Sequence, residues 1–166
     1  MSAGPIHRVE QFLTHVTARV AADEEALARQ VLPRPAWRLF AAMPVADRRH
    51  ALDVVRRLMA AGWDDPELLA AALLHDAAKG RRMRLWHRVA GVLLQALAPA
   101  LLRRLASPDP RSWRHPFHLH LHHAELSAEA ALAAGCSPRT AAFIRGTSGE
   151  ADAQQAAALQ AADEAS

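Results

Sequence analysis

Apolar residues recur at three- and four-residue intervals along most of the chain, and that spacing predicts one helix after another. The first reads over residues 6–20, where Val9, Phe12, Leu13 and Val16 share a side. Two short helices follow over 23–32 and 35–42, divided by Pro33 and Pro35. Pro44 and Asp47 then open a longer one that ends near Gly62. Asp65, Pro66 and Glu67 form a start signal: a capping carboxylate, a proline at the first helical position and an acid at the positive end of the dipole. That helix is expected to reach about Ala78, ahead of Gly80. Residues 85–106 hold the longest apolar segment, interrupted by Gln95 and Pro99. A helix over 117–134 stops at Gly135, Ser137 and Pro138 begin another, residues 146–150 break the pattern, and a last helix covers 151–164. No internal repeat and no second domain is visible.

Composition agrees with this pattern. The chain is rich in Ala, Leu and Arg, has no tyrosine and is 51% hydrophobic and 22% charged, which favours helices around a real core. Its 166 residues suit one domain. The expectation is an all-α, compact single-domain bundle over 1–166, in which 1–44 form an N-terminal helical extension to a core of 45–166. The single cysteine, Cys136, excludes an internal disulfide. Together with an N-terminal stretch lacking a signal-type apolar run, it predicts a cytoplasmic protein.

Formal charge is only +3, and Lys79 is the one lysine among 20 basic side chains. That excess is too small to imply a long nucleic acid as partner. The basic stretches over 80–88 and 101–115 read as solvated faces or as a local anion site. Residues 85–106 have apolar runs shorter than the roughly 20 residues a membrane span needs. They read as a helix packed in the core or against a second subunit, a possible homo-oligomer contact. With Trp86 and arginines at the edges, they can also lie on a membrane surface or a partner.

Ionisable side chains on apolar stripes are informative, because a buried charge or imidazole is costly unless something satisfies it. His50 lies one and two turns before Val54 and Leu58 and so points inward, while Arg48, Arg49, Arg56 and Arg57 fall mostly outward. His75 stands over Leu68 and Ala71, and Asp76 over Leu69 and Ala72, on a helix with no polar face. Asp163 stacks over Leu159 and Ala156. Neighbours on a helix diverge by about 100°, so His75 and Asp76 do not simply pair but can converge on a third object. A divalent metal (Mn, Fe, Co, Ni, Zn or Mg) is the economical candidate, since imidazole and carboxylate are ordinary ligands and the ion neutralises the aspartate. Taken singly, each of the four is more often a hydrogen-bonded polar group of the core.

The order His50, then His75-Asp76, then Asp163, on separate helices, resembles the HD-domain superfamily of metal-dependent phosphohydrolases over roughly residues 45–166. The segment LLAAALLHDAAKG is similar to that family's signature, and LQAADEA to its closing aspartate segment. The resemblance implies that His50, His75, Asp76 and Asp163 bind one metal, leaving positions open for water and a substrate phosphate. The implied reaction is hydrolysis of a phosphomonoester or nucleotide by metal-activated water, with Asp76, Lys79 and His123 in the catalytic machinery. Lys79 then serves as a phosphate contact; the plainer reading is an exposed lysine favoured by the helix dipole. His123, over Leu126, Ser127 and Ala130, matches the first extra histidine of two-metal members. The second is missing: Gly146 and Thr147 stand in its slot, which favours one metal or a weakened second site. The alternative function is a non-catalytic metal- or nucleotide-binding module, or a partner-docking protein.

The other histidines carry less. His118, His120 and His122 share a face only in an extended strand, against the helical flanks. His115 and His118 can sit near a phosphate path, and His87 can face the site or cap the tryptophan-rich surface. His7 and His15 read as surface residues.

Overall fold

The computed structural model describes residues 20–80, 83 and 85–166 of the chain. The helix expected over 6–20 lies outside the described residues save for Val20, as do His7 and His15. Nine α-helices are present among the described residues: α1 (Ala22–Val31), α2 (Arg34–Ala42), α3 (Val45–Ala60), α4 (Pro66–Leu74), α5 (Leu85–Leu97), α6 (Pro99–Leu105), α7 (His115–Ala133), α8 (Pro138–Arg145) and α9 (Ala153–Glu164). A 3₁₀ turn, Glu150–Asp152, precedes the last, and no strand is described. The chain is all-α, as its periodicity predicts.

The bundle is arranged around α4, which packs against α1, α2, α3, α7, α8 and α9. Every residue from 68 to 74 is buried. A helix that is apolar all round finds its lowest free energy enclosed by others rather than half in water. Ala28, Leu32, Ala36, Phe40 and Met43 of the first 44 residues belong to the same core as Leu58, Leu73, Phe143 and Leu159.

The start of α4 is fastened as its sequence predicts, and more firmly. Asp65 accepts hydrogen bonds from the backbone N–H groups of Glu67 and Leu68 at 2.9 and 3.1 Å, meeting two of the donors a helix start leaves orphaned. The Arg139 guanidinium of α8 then donates to Asp65 and Glu67 at 2.8 Å each, and to Asp152 and Gln155 at 2.8 and 2.6 Å. One planar fork thus joins the start of α4 to α8, the 3₁₀ turn and α9. Burial raises the Asp65 carboxyl, but Arg139 and the cap hydrogen bonds outweigh it and hold it below its ordinary value.

The far end of α4 differs from expectation. The α-helix stops at Leu74 rather than near Ala78, and residues 75–80 continue as a tight turn in which Ala77 and Lys79 donate to the carbonyls three residues back. Ser127 of α7, fully buried, accepts from the Ala78 N–H at 3.0 Å. This cross-chain bond fixes the turn against α7. Arg48 and Arg49 also depart from a mostly outward placement: they lie half-buried between α3 and α1, paired with Glu25 at 3.0 Å and Glu24 at 2.6 Å.

Residues 85–106 form two helices broken before Pro99. At Gly91 a side chain on α5 would meet the His120 ring of α7 at 2.9 Å, so glycine there is what lets the two helices cross so closely.

The Asp65 arrangement yields a graded test. Asp65→Ala removes both cap and ion pair and should cost at least about 1–2 kcal/mol in urea unfolding, the usual range for a lost N-cap. Asp65→Asn keeps a capping side chain and loses the charge pair with Arg139, so its loss should be smaller; equal losses would show that the cap contributes nothing.

Candidate metal centre

The turn after α4 carries the polar residues that the buried helix cannot. His75 retains right-handed helical backbone angles (φ −55°, ψ −29°), and its Nδ1 lies 2.9 Å from the Ala72 carbonyl. A donated Nδ1–H in that contact leaves Nε2 to face the interior, the arrangement by which a backbone carbonyl fixes a ligand imidazole. Asp76 is only 4% exposed.

Around this turn α3 and α9 deliver the other two residues. His50 Nε2 lies 2.8 Å from Asp163 Oδ1, and His75 Nε2 lies 3.2 Å from the same oxygen. The His50 and His75 rings meet edge to face, centroids 5.3 Å apart. One ligand atom each from His50, His75 and Asp76 falls within 4.8 Å of the others. Asp163 joins this trio through the two imidazoles, and its side chain is the most open of the four. His75 Nε2 and Asp76 Oδ1 are both buried and lack an aligned hydrogen-bond partner. Each nevertheless has a charge partner close by, Asp163 Oδ1 at 3.2 Å from His75 Nε2 and Lys79 Nζ at 2.7 Å from Asp76 Oδ1, and imidazole and carboxylate grouped this way are also an ordinary ligand set for a divalent cation.

Charge follows the geometry. Burial disfavours the charged form of His75, yet the Asp76 charge and the adjacent Asp163 outweigh it and pull the imidazole up to about 9. Burial likewise raises both carboxyls, but His75 and Lys79 hold Asp76, and His50 and His75 hold Asp163, well below the ordinary carboxylate range. Two carboxylates facing two imidazoles favour positive charge between them, supplied by a proton or by a metal.

Lys79 is neither an exposed lysine nor a free cation: its Nζ donates to Asp76 Oδ2 at 2.7 Å, and its side chain is largely buried. His123 of α7 places Nε2 3.9 Å from Asp76 Oδ1, its Nδ1 lying 2.9 Å from the His120 carbonyl. Burial and the Lys79 charge push its imidazole below the ordinary value. Gly146, in the slot of the missing histidine, is the left-handed C-cap of α8 (φ 71°), a conformation any side chain would strain.

The histidine run divides between two faces of α7. His115, His118 and His122 share one face at helical spacing, with ring centroids 5.7 Å apart for the first pair and 4.5 Å for the second. His120 turns to Gln95 of α5 at 2.8 Å. A helix therefore groups the residues differently from the extended strand that alternation would require. His87 is buried and stacks on Trp86 at 3.6 Å, on the tryptophan side of the molecule. Ser127 and the Ala72 carbonyl complete the arrangement. Ser127 lies one turn beyond His123 on the same face of α7, which was a readable signal, whereas a backbone carbonyl leaves none.

The electrostatics can be measured. In chelated protein, the His75 imidazole should titrate by NMR near pH 9, and Asp163→Asn should lower that midpoint. The folded value lies above the ordinary 6.5, so the associated stability is full below pH 6.5 and is lost as pH rises through about 9. A midpoint at or below 6.5 would contradict the charge arrangement.

No known protein-family model, curated protein or solved structure matches this chain.

Proposed function

We propose that the protein is a metal-dependent phosphohydrolase acting on a phosphomonoester or nucleotide, with His50, His75, Asp76 and Asp163 holding one divalent ion. The observation that carries this reading is the convergence of ligand atoms from His50, His75 and Asp76, no more than 4.8 Å apart, at a buried turn where Asp163 joins both imidazoles. Core polar groups usually pair singly; here two imidazoles and two carboxylates from three parts of the fold meet at one point. A bound divalent ion would supply a water of lowered pKa and would polarise a phosphoryl oxygen.

The chain's own residues have separate tasks in this reading. Ala72 holds His75 through Nδ1 and so keeps Nε2 aimed at the centre. Ser127 fixes the turn that presents Asp76. Lys79 supplies positive charge beside Asp76, and exchanging that carboxylate for a substrate phosphate would place a compact cation on the developing negative charge. His123, half-buried at 3.9 Å from Asp76, directs Nδ1–H to the His120 carbonyl and so presents Nε2 as an acceptor, positioned to take a proton from the attacking water. Gly146, serving as a helix cap, leaves the later loop without a histidine and favours a single ion.

One observation favours a second reading. Lys79 is already committed to Asp76, which suits a site kept for binding a metal or nucleotide without turnover.

Metal analysis of the purified chain, combined with a phosphoester panel, separates the two. The hydrolase reading expects a stoichiometric divalent ion and turnover, both lost in Asp76→Ala, with Lys79→Met retaining the ion while losing turnover. Bound ion with no hydrolysis across phosphomonoesters and nucleotides would favour the binding module. A wild-type chain that cannot be loaded with any of the candidate metals would remove both.

A further inference from the structure

α5 turns a broad apolar stripe to water. On α5, His87, Gly91 and Gln95 recur every four residues and face α7, with Gly91 against the His120 ring and Gln95 bonded to it. The outer stripe holds Trp86, Val89, Val92, Leu93 and Leu97, exposed by 45 to 80%, and α6 extends it with Leu101. An amphipathic helix of a water-facing surface directs its largest apolar side chains inward; here the inward side has His87, Ala90, Gly91 and Leu94, and the larger apolar stripe faces out. Trp113, itself 65% exposed, lies on the same edge: its ring and that of Trp86 both meet Phe117, at 6.4 and 6.2 Å.

Charge tells what covers this face. From residue 77 to residue 108 the sequence has no acidic residue, but it has Lys79 and arginines at 81, 82, 84, 88, 103 and 104. Arg88 is spent on Asp47, at 2.7 Å. Arg103 and Arg104 are exposed at the end of α6, Arg104 one turn beyond Leu101, and Arg111 is exposed beside Trp113. Arg103, Arg104 and Arg111 have no carboxylate partner among the described residues, as is also true of Arg34 and Arg38 on α2; what sets the α5–α6 face apart is that its free arginines border an apolar stripe within a stretch that has no acid. A second copy of this chain would bring the same arginines against them. We infer that the α5–α6 face, from Trp86 to Arg104, seats the protein on the surface of an anionic lipid bilayer. Its aliphatic stripe enters the acyl boundary, the two tryptophans sit at headgroup level, and the unpaired arginines meet lipid phosphates. No described helix is long and apolar enough to cross a membrane, so the mode is lying on the surface.

The test uses the full chain with vesicles of phosphatidylcholine alone or mixed with phosphatidylglycerol, read by cosedimentation and by the blue shift of tryptophan fluorescence. Binding is expected to the mixed vesicles, to fall with added salt, and to be absent with phosphatidylcholine alone. Leu93→Glu/Leu97→Glu should abolish it. Arg103→Ala/Arg104→Ala should weaken it by about fivefold per arginine. Leu132→Glu, at an exposed apolar position near the end of α7, should leave it intact. Circular dichroism confirms that each variant is folded, which is expected because the altered side chains are exposed. Failure to bind the mixed vesicles would overturn the inference, as would equal binding to both compositions. So would a dimer in solution that Leu93→Glu/Leu97→Glu disperses while wild type ignores vesicles.

Discussion

Enclosing α4 on every side forces the first polar residues after it to be satisfied from within the protein. Residues 68–74 bury completely against six other helices, and the chain then delivers His75 and Asp76 into the same interior. Water cannot hydrate them as it would on an open helix end, and the desolvation cost of an unpaired carboxylate there is several kcal/mol. The surrounding elements answer that demand. α3 brings His50, α9 brings Asp163, α7 brings Ser127 and His123, and Lys79 folds back from the turn itself. Fold and candidate site are thus one construction: the helices that bury α4 also carry the groups around its end.

Much of this was legible in the sequence because its signals are local. Asp65 with Pro66, Ser137 with Pro138, and glycines at 62, 135 and 146 mark helix ends by backbone chemistry that needs no knowledge of neighbours. The inward placement of His50 and Asp163 follows from their spacing to Leu58 and Leu159. Other features depend on contacts between distant residues. The helix stops at Leu74 where the sequence has no stop signal, and the turn beyond it is held by Ser127, 49 residues away. Arg139 reads as one more arginine, yet it reaches Asp65 across 74 residues. From sequence Lys79 reads as a phosphate contact or an exposed lysine, and its bond to Asp76 is a third arrangement that depends on how the turn curls.

The orientation of α5 shows a related limit. Periodicity locates an apolar stripe but not what lies against it, and a stripe facing outward has the same spacing as one facing in. Here Gly91 marks the side of α5 that α7 approaches most closely, where His120 reaches Gln95, and Trp86, Val89, Val92, Leu93 and Leu97 are left exposed. The same helix α7 thus meets α5 through His120 and faces Asp76 with His123, one turn further along.

The central claim is that the end of α4 and its neighbours form a centre for one divalent cation. Anomalous diffraction from crystals of the full chain grown with Mn²⁺ addresses it most directly. The account predicts one strong peak bounded by His50, His75, Asp76 and Asp163, with His75 Nε2 and Asp76 Oδ1 both at coordination distance. A peak at His118 and His122 alone, with the His75–Asp76 centre empty, would contradict it.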